Sequence, residues 1–335
     1  MAYKVKLDYT FTYEREAAYD TPVDSAPVGI PTEDMTFKQE PNTHRFMRAM
    51  GTRGVDEENA WNDTFGVFPT ASVSVRMCPQ IMQELMPGIL QDSTNYETVG
   101  GKWTMFTNNY ADLPSPRTTG DGYFYTLTRN SPDTANDEYL TSAIPTSLKL
   151  SIDPSANDGV LIGDFEFIGK DYTREATHSG TITDAPLTEQ YQWGEITAVK
   201  LTTPSAGETN MINDFVSCEF NITNGAKYVS DLPEGEVVFP KWEVTGQLKV
   251  IAGTTTEEMK TLVLASLVNT GMPLVISFGD GTVSEPGEMN ITSHIYLTNW
   301  ESDFEEGEVI TFDFEGVFGG AGEYPFKVEF WVPTV

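Results

Sequence analysis

Hydrophobic and polar residues alternate with a period of two along several stretches of the chain. Val73, Val75 and Met77 alternate with Ser72, Ser74 and Arg76. Val216, Cys218, Phe220 and Ile222 alternate with Ser217, Glu219 and Asn221. Trp242, Val244, Gly246, Leu248 and Val250 alternate with Glu243, Thr245, Gln247 and Lys249. Ile310, Phe312, Phe314 and Gly316 alternate with Thr311, Asp313 and Glu315. This period buries one face of a strand and leaves the other polar, as in antiparallel sheets. The stretches between are rich in Gly, Pro, Asn and Asp, which supply turns.

Two segments carry the helical period instead. From Pro79 to about Leu90, Ile81, Met82, Leu85 and Met86 fall on one face, with Pro79 at a tolerated first position. Pro87-Gly88 is expected to end or bend this helix. From about Thr255 to Val268, Met259, Leu262, Val263 and Leu267 form the stripe, and Gly271 lies just beyond. Thr255 followed by Glu258 reads as a capping box. Ile81, Leu85, Met259, Leu262 and Val263 are therefore expected to pack these helices on the core.

An internal repeat follows. Each helix comes after an alternating strand (71–77 and 242–252) and before a strand pair. The pairs are 147–152 with 160–169, and 294–300 with 308–318; DFEFIG in the first resembles DFEGVF in the second. The longer gap in the first half marks an insertion near 91–140. The expected division is 1–190 and 191–335.

Charge narrows the partners. Fifty acids against 20 bases give a net charge of −30 over 335 residues, with no basic stripe to neutralise phosphates. Two cysteines cannot form a disulfide framework, and no apolar run reaches the roughly 20 residues of a membrane span. MAYKVKLDYTF reads as a strand without a signal-peptide core.

Candidate chemistry is sparse. His44, His178 and His294 lack metal-ligand spacing, and His294 reads as a surface or strand-edge residue. Cys78, at a helix start, and Cys218, on an apolar face, read as buried thiols. DPSANDG (153–159) lacks the glycine of a calcium loop at the required place and reads as a turn. No phosphate-binding loop or nucleophile elbow is present. The expectation is a protein that binds or builds, not an enzyme, without cofactor or metal.

Taken in order, the stretches resemble the tail tube (major tail) proteins of long-tailed bacteriophages in their duplicated form. The match runs through 4–37 with its Glu-x-x-Tyr-Asp-Thr-Pro, the strand–helix step 70–90 and the hairpin 147–172. It continues through 215–232, 244–271 and 308–318. The resemblance implies an all-β-dominated fold of two β-sandwich units, each with one packed helix, contributing strands to a ring-wide barrel. It implies trimeric, pseudo-hexameric rings stacked into a tube in the virion tail. It further implies tape-measure, terminator and baseplate or tip proteins as partners, DNA passing without specific binding, and no membrane. Residues 14–70 would serve as an arm to the neighbouring ring. Asp164, Glu166, Asp313 and Glu315 would face the lumen. The competing classes are another virion sandwich, of decoration or baseplate type, and a carbohydrate-binding or hydrolytic sandwich using Trp61, Trp103, Trp193 and Trp300.

Overall fold

The computed structural model describes residues 10–17, 21–23, 25–38, 43–47, 60–64, 68–90, 96–99, 101–107, 123–130, 137–155, 157–176, 182–184, 190–204, 207–229, 236–238, 242–265, 271–285, 287–303, 308–320 and 322–332. The first half contributes β1 (Thr10–Glu16), β2 (Val28–Ile30), β3 (Thr32–Lys38), β4 (Thr43–Met47), β5 (Ala60–Thr64), β6 (Thr70–Arg76) and α1 (Pro79–Leu90). It continues with β7 (Tyr96–Val99), β8 (Lys102–Phe106), β9 (Phe124–Asn130), β10 (Asp137–Ile152), β11 (Ile162–Ile168) and β12 (Asp171–Ala176). A short β13 (Thr183–Asp184) follows. The second half contributes β14 (Ile196–Thr203), β15 (Gly207–Asn210), β16 (Phe215–Thr223), β17 (Lys227–Val229), β18 (Glu236–Val238), β19 (Glu243–Ile251) and α2 (Thr254–Ala265). It ends with β20 (Met272–Phe278), β21 (Met289–Asp303), β22 (Val309–Gly316) and β23 (Lys327–Trp331). The fold is all-β dominated.

Eight strands form one continuous antiparallel run, β3–β6–β11–β10–β16–β19–β22–β21. The four strands from each half follow one order: first, second, fourth, third along the chain. Their irregularities recur too. A register shift sets Thr32 and Asp34 opposite Val75 and Ser74, and another sets Phe215 and Ser217 opposite Val250 and Lys249. A second kind sets Pro145 and Ser147 opposite Phe167 and Glu166, and again Leu297 and Asn299 opposite Phe314 and Asp313. A bulge adds one residue to one strand and fixes the local twist, so its position identifies equivalent residues. α1 and α2 have 12 residues each and follow β6 and β19 directly.

β10 and β21 are long because each serves two layers. The leading part of β10 pairs with β9 and β12, and that of β21 with β20 and β23. β1 extends the first outer layer through β9, and β14 the second through β20. The described strands of 91–140 are β7, β8, β9 and the start of β10. β9 has its counterpart in β20, while the hairpin β7–β8 has none and adds to the second half's outer layer through β23. Lys102 closes that junction on Glu329 at 2.8 Å. Of residues 14–70, expected to be loop-rich, 14–16, 28–30 and 32–38 are strand residues. β1 and β3 are sheet strands, with Phe11 and Tyr13 in the core.

Val73, Phe165, Leu150, Phe220, Leu248 and Phe312 of the eight-strand run are buried, while Met35 and Phe37 of β3 and Leu297 and Trp300 of β21 are half-buried against the same core. Ile81, Leu85 and Met259 are buried with them, and Leu262 and Val263 pack half-buried against the same core. α1 has the bounds expected, and Pro87 lies inside it without ending it. It reaches Leu90 because its last turn is buried and its carbonyls find partners. Ile89 O accepts from Asn224 Nδ2 (3.1 Å) and Trp242 Nε1 (3.2 Å), both from the second half. α2 starts at Thr254, and the box is shifted: Gly253 N–H donates to Thr256 Oγ1 (2.7 Å), while Glu258 accepts from Thr203 Oγ1 (2.7 Å). Residues 266–270, where α2 was expected to end, lie outside the described residues.

Asn224 ties the halves together. Its Nδ2 also donates to Pro145 O (2.9 Å), and its Oδ1 accepts from Ala226 N–H (3.0 Å). Asn224→Ala removes the side-chain donor to Pro145 O and one of the two donors to Ile89 O, and is expected to cost about 2 kcal/mol. A lower denaturant midpoint at unchanged slope is the check.

Candidate functional site

The residues that alternate with the core make the opposite face of the eight-strand run. They are polar on every strand: Thr36 and Lys38, Ser72 and Ser74, Asp164 and Glu166, Ser147 and Lys149 in the first half. Glu219 and Asn221, Thr245 and Gln247, Asp313 and Glu315, Asn299 and Glu301 follow in the second. A shallow hollow of about 580 Å³ is lined by Ser147, Asp164, Asn221 and Thr245 among others, one from each of four adjacent strands. A hollow thus lies in the polar face where the two halves meet.

The four acids expected to act together do share this face. Asp164 and Asp313 are half-buried, Glu166 and Glu315 exposed. Glu166 accepts from Ser147 Oγ (2.9 Å); Asp313 accepts from Gln247 Nε2 (2.9 Å) and Asn299 Nδ2 (3.2 Å). These donors are neutral, and among the described residues none of the four acids has a cationic partner. Of the cations on this face, Lys149 pairs with Glu219 at 2.6 Å and Arg76 with Glu33 and Asp158, while Lys38 lines a hollow together with Glu166. Among the described residues the four acids thus stand on one polar face without an ion pair of their own. Their equivalence is two residues from the one the motifs suggest. By the shared bulge Glu166 matches Asp313, and Asp164 matches Thr311.

The remaining candidates do not make a reactive centre. Burial pushes the Cys78 thiol up despite the backbone N–H groups of Gln80 and Ile81, and burial pushes the Cys218 thiol up as well. Among the described residues no group of three or more His, Cys, Asp or Glu could hold a metal ion. Asp153 turns on itself, accepting from Ser155 N–H (2.8 Å) and Oγ (2.6 Å), the strand-joining turn expected. His294 corrects its expected exposure: it lies within β21, 6% exposed, with Nε2 3.9 Å from a Glu323 carboxylate oxygen. His178 and the side chains of His44 and Trp61 lie outside the described residues. Trp103, Trp193 and Trp300 pack on the core; Trp193 stacks on Phe215 at 5.3 Å and Trp300 lies beneath Lys260 Nζ at 4.9 Å. Among the described residues no helix is long and apolar enough to cross a membrane.

Two features of the face escaped the sequence. Among the described residues β3 has β6 as its strand neighbour and the trailing part of β21 has β22, so the described run ends at these two strands. Strand edges leave no mark in a hydrophobic pattern, which records faces only. No protein-family model matches the chain, and no curated protein matches it either.

Proposed function

We propose that this chain is the tail tube subunit of a long-tailed bacteriophage, a structural protein whose copies join into rings and stack into the conduit for DNA. The observation that carries this reading is the eight-strand run: one strand order used twice, one face polar throughout, and no further strand at either end among the described residues. Two tube-like units in tandem account for the repeated order and for the repeated bulges. An open edge invites pairing with another chain, and closure into a barrel is the arrangement that removes edges altogether.

Three copies would supply 24 strands. At a spacing of about 4.8 Å and a tilt near 40°, such a barrel is about 50 Å across its backbone. With the apolar face held by α1, α2 and the outer layers, the polar face becomes the lumen wall. Asp164, Glu166, Asp313 and Glu315 then line it. A duplex filling that lumen passes within roughly the 8 Å screening length of the wall, close enough for repulsion to keep it from adhering. Stacking of rings is a head-to-tail contact that does not close, which yields a filament. The partners are further copies of the chain and, at the ends and inside, the other tail proteins; the site of action is the virion.

Sedimentation and electron microscopy of the concentrated protein test this. Hollow tubes of uniform width are expected. Monodisperse particles or isolated closed rings at every concentration would favour a decoration protein instead.

A further inference from the structure

The link between β22 and β23 is longer than its counterpart in the first half. β11 and β12 are joined by Gly169 and Lys170 alone, and Lys170 N–H donates to Thr141 O (2.9 Å). In the second half residues 317–326 stand in that place, and the corresponding bond runs from Val317 N–H to His294 O (2.7 Å). His294 N–H donates in turn to Tyr324 O (3.0 Å), so the main chain of one histidine holds both arms of the link. A turn closes between the arms, with Glu323 N–H on Gly320 O and Gly319 N–H on Glu323 O, each at 3.1 Å. The far end of the link fastens the first half to the second. Tyr324 stacks on Phe106 of β8 at 4.3 Å, Thr107 N–H donates to Phe326 O (2.9 Å) and Phe326 N–H to Thr107 Oγ1 (3.1 Å).

The imidazole of His294 lies beneath this link. A Cβ at Gly319 would stand 2.0 Å from Cε1 of the ring, and one at Gly271 2.7 Å, so the ring occupies the room that both glycines leave. Its Nδ1 is buried without a hydrogen-bond partner. Its Nε2 faces the half-exposed Glu323 carboxylate at 3.9 Å, beyond hydrogen-bond reach. We propose that His294 and Glu323 form a proton-operated latch: an imidazole that takes up a proton draws the Glu323 carboxylate onto Nε2–H, and the link tightens over the junction of the halves. Imidazole is the side chain whose charge ordinarily changes between pH 5 and 8. Burial alone opposes that charge, whereas an opposite charge within about 4–6 Å favours it, and the charge-assisted bond formed is stronger than a neutral one. Among the described groups that face the ring, Glu323 is the charged one. Gly271, Gly319, Val317 and Pro273, opposite on β20, carry no charge, and residues 266–270 before Gly271 hold no titratable side chain. Tyr324 meets His294 through its carbonyl. Farther along β21, Lys327 stands opposite Thr292 and is paired with Glu329 at 3.3 Å. Because the partner favours the protonated ring, the added hold is present at acid pH and is lost as the pH rises through the titration of His294.

Hydrogen exchange of the full chain, read by mass spectrometry on peptides covering 317–326, tests this. Peptides from β16 serve as the reference for changes in the whole fold. After correction for the intrinsic pH dependence of exchange, the link should be about fivefold better protected at pH 5.5 than at pH 8, the ratio that one partly exposed ion pair supplies. Glu323→Gln, a change on a half-exposed turn that leaves the core intact, should protect the link equally at the two pH values. Equal protection of the wild type at both, or weaker protection at pH 5.5, would overturn the latch. A rise at pH 5.5 that survives in Glu323→Gln would overturn it too, since the carboxylate would then have no part. The latch belongs to the single chain, so none of these outcomes depends on tube assembly.

Discussion

Phe220→Ala is expected to cost about 3–5 kcal/mol, among the largest losses a single side chain can cause here. Phe220 is fully buried at the centre of β16, opposite Leu150 of the first half and Gly246 of the second. It meets Phe314 edge-on at 5.4 Å and Phe326 at 5.7 Å. The Phe314 ring in turn lies across Gly246, where a Cβ would stand 2.3 Å from Phe314 Cζ and 2.1 Å from Glu219 O. Glycine in mid-strand is otherwise unfavourable; here the close approach of a ring requires it. Removing Phe220 empties a space that this rigid arrangement cannot refill, because backbone from both halves fixes its walls. The thermal midpoint should fall by about 6 °C for a chain of this size. A fall of less than about 1 °C would mean that the halves do not share this core. Assembly should fail at a correspondingly lower temperature, since β16 joins the two sets of four strands.

Reversing the four acids should leave the fold and change the behaviour toward DNA. Asp164→Lys, Glu166→Lys, Asp313→Lys and Glu315→Lys together are expected to form tubes that hold duplex DNA at low salt, where wild-type tubes hold none. The four positions are on the surface of the isolated chain and make hydrogen bonds only to neutral groups there, so the core is untouched. Each lysine that reaches a phosphate releases counterions, and retention should weaken with salt at a slope of about 0.9 per contact. Co-sedimentation of tubes with short duplexes across a salt series reads this out. The matched Asn and Gln variants, neutral at the same places, should bind far less than the lysine variant. Equal retention by wild type and lysine variant would place these residues outside the lumen.

Sequence patterning reached the parts of this molecule that have one dry face. β6, β16, β19 and β22 alternate because one side meets the core and the other stays polar, and both helices show their stripes for the same reason. It did not reach β9 or β20. In β9 six of seven residues are buried, because the strand is covered on both sides, and alternation disappears when both faces are dry. β20, in MPLVISF, is a short apolar run of the same kind. Nor could it show that β8 joins the other half, since that pairing is set by tertiary contact along 220 residues of chain. The four acids were legible as members of polar faces. That the faces fuse into one surface depends on the β10–β16 junction, and two strands that pair carry no mutual mark in sequence. The repeat was visible in element order, whereas its register emerged only from the bulges. Glu166 and Asp313 therefore correspond, although the motifs set Asp164 beside Asp313.

The central claim is that the eight-strand run closes on further copies with its polar face inward. A helical reconstruction of the assembled protein by electron cryomicroscopy measures this directly. The expected result is a ring of three copies, 24 antiparallel strands in one uninterrupted barrel, with Glu166 and Asp313 on the inner wall and α1 and α2 outside it. Rings held together by loops alone, with the sheet of each copy ending at β3 and β21, would contradict it, as would a barrel whose polar face looks outward.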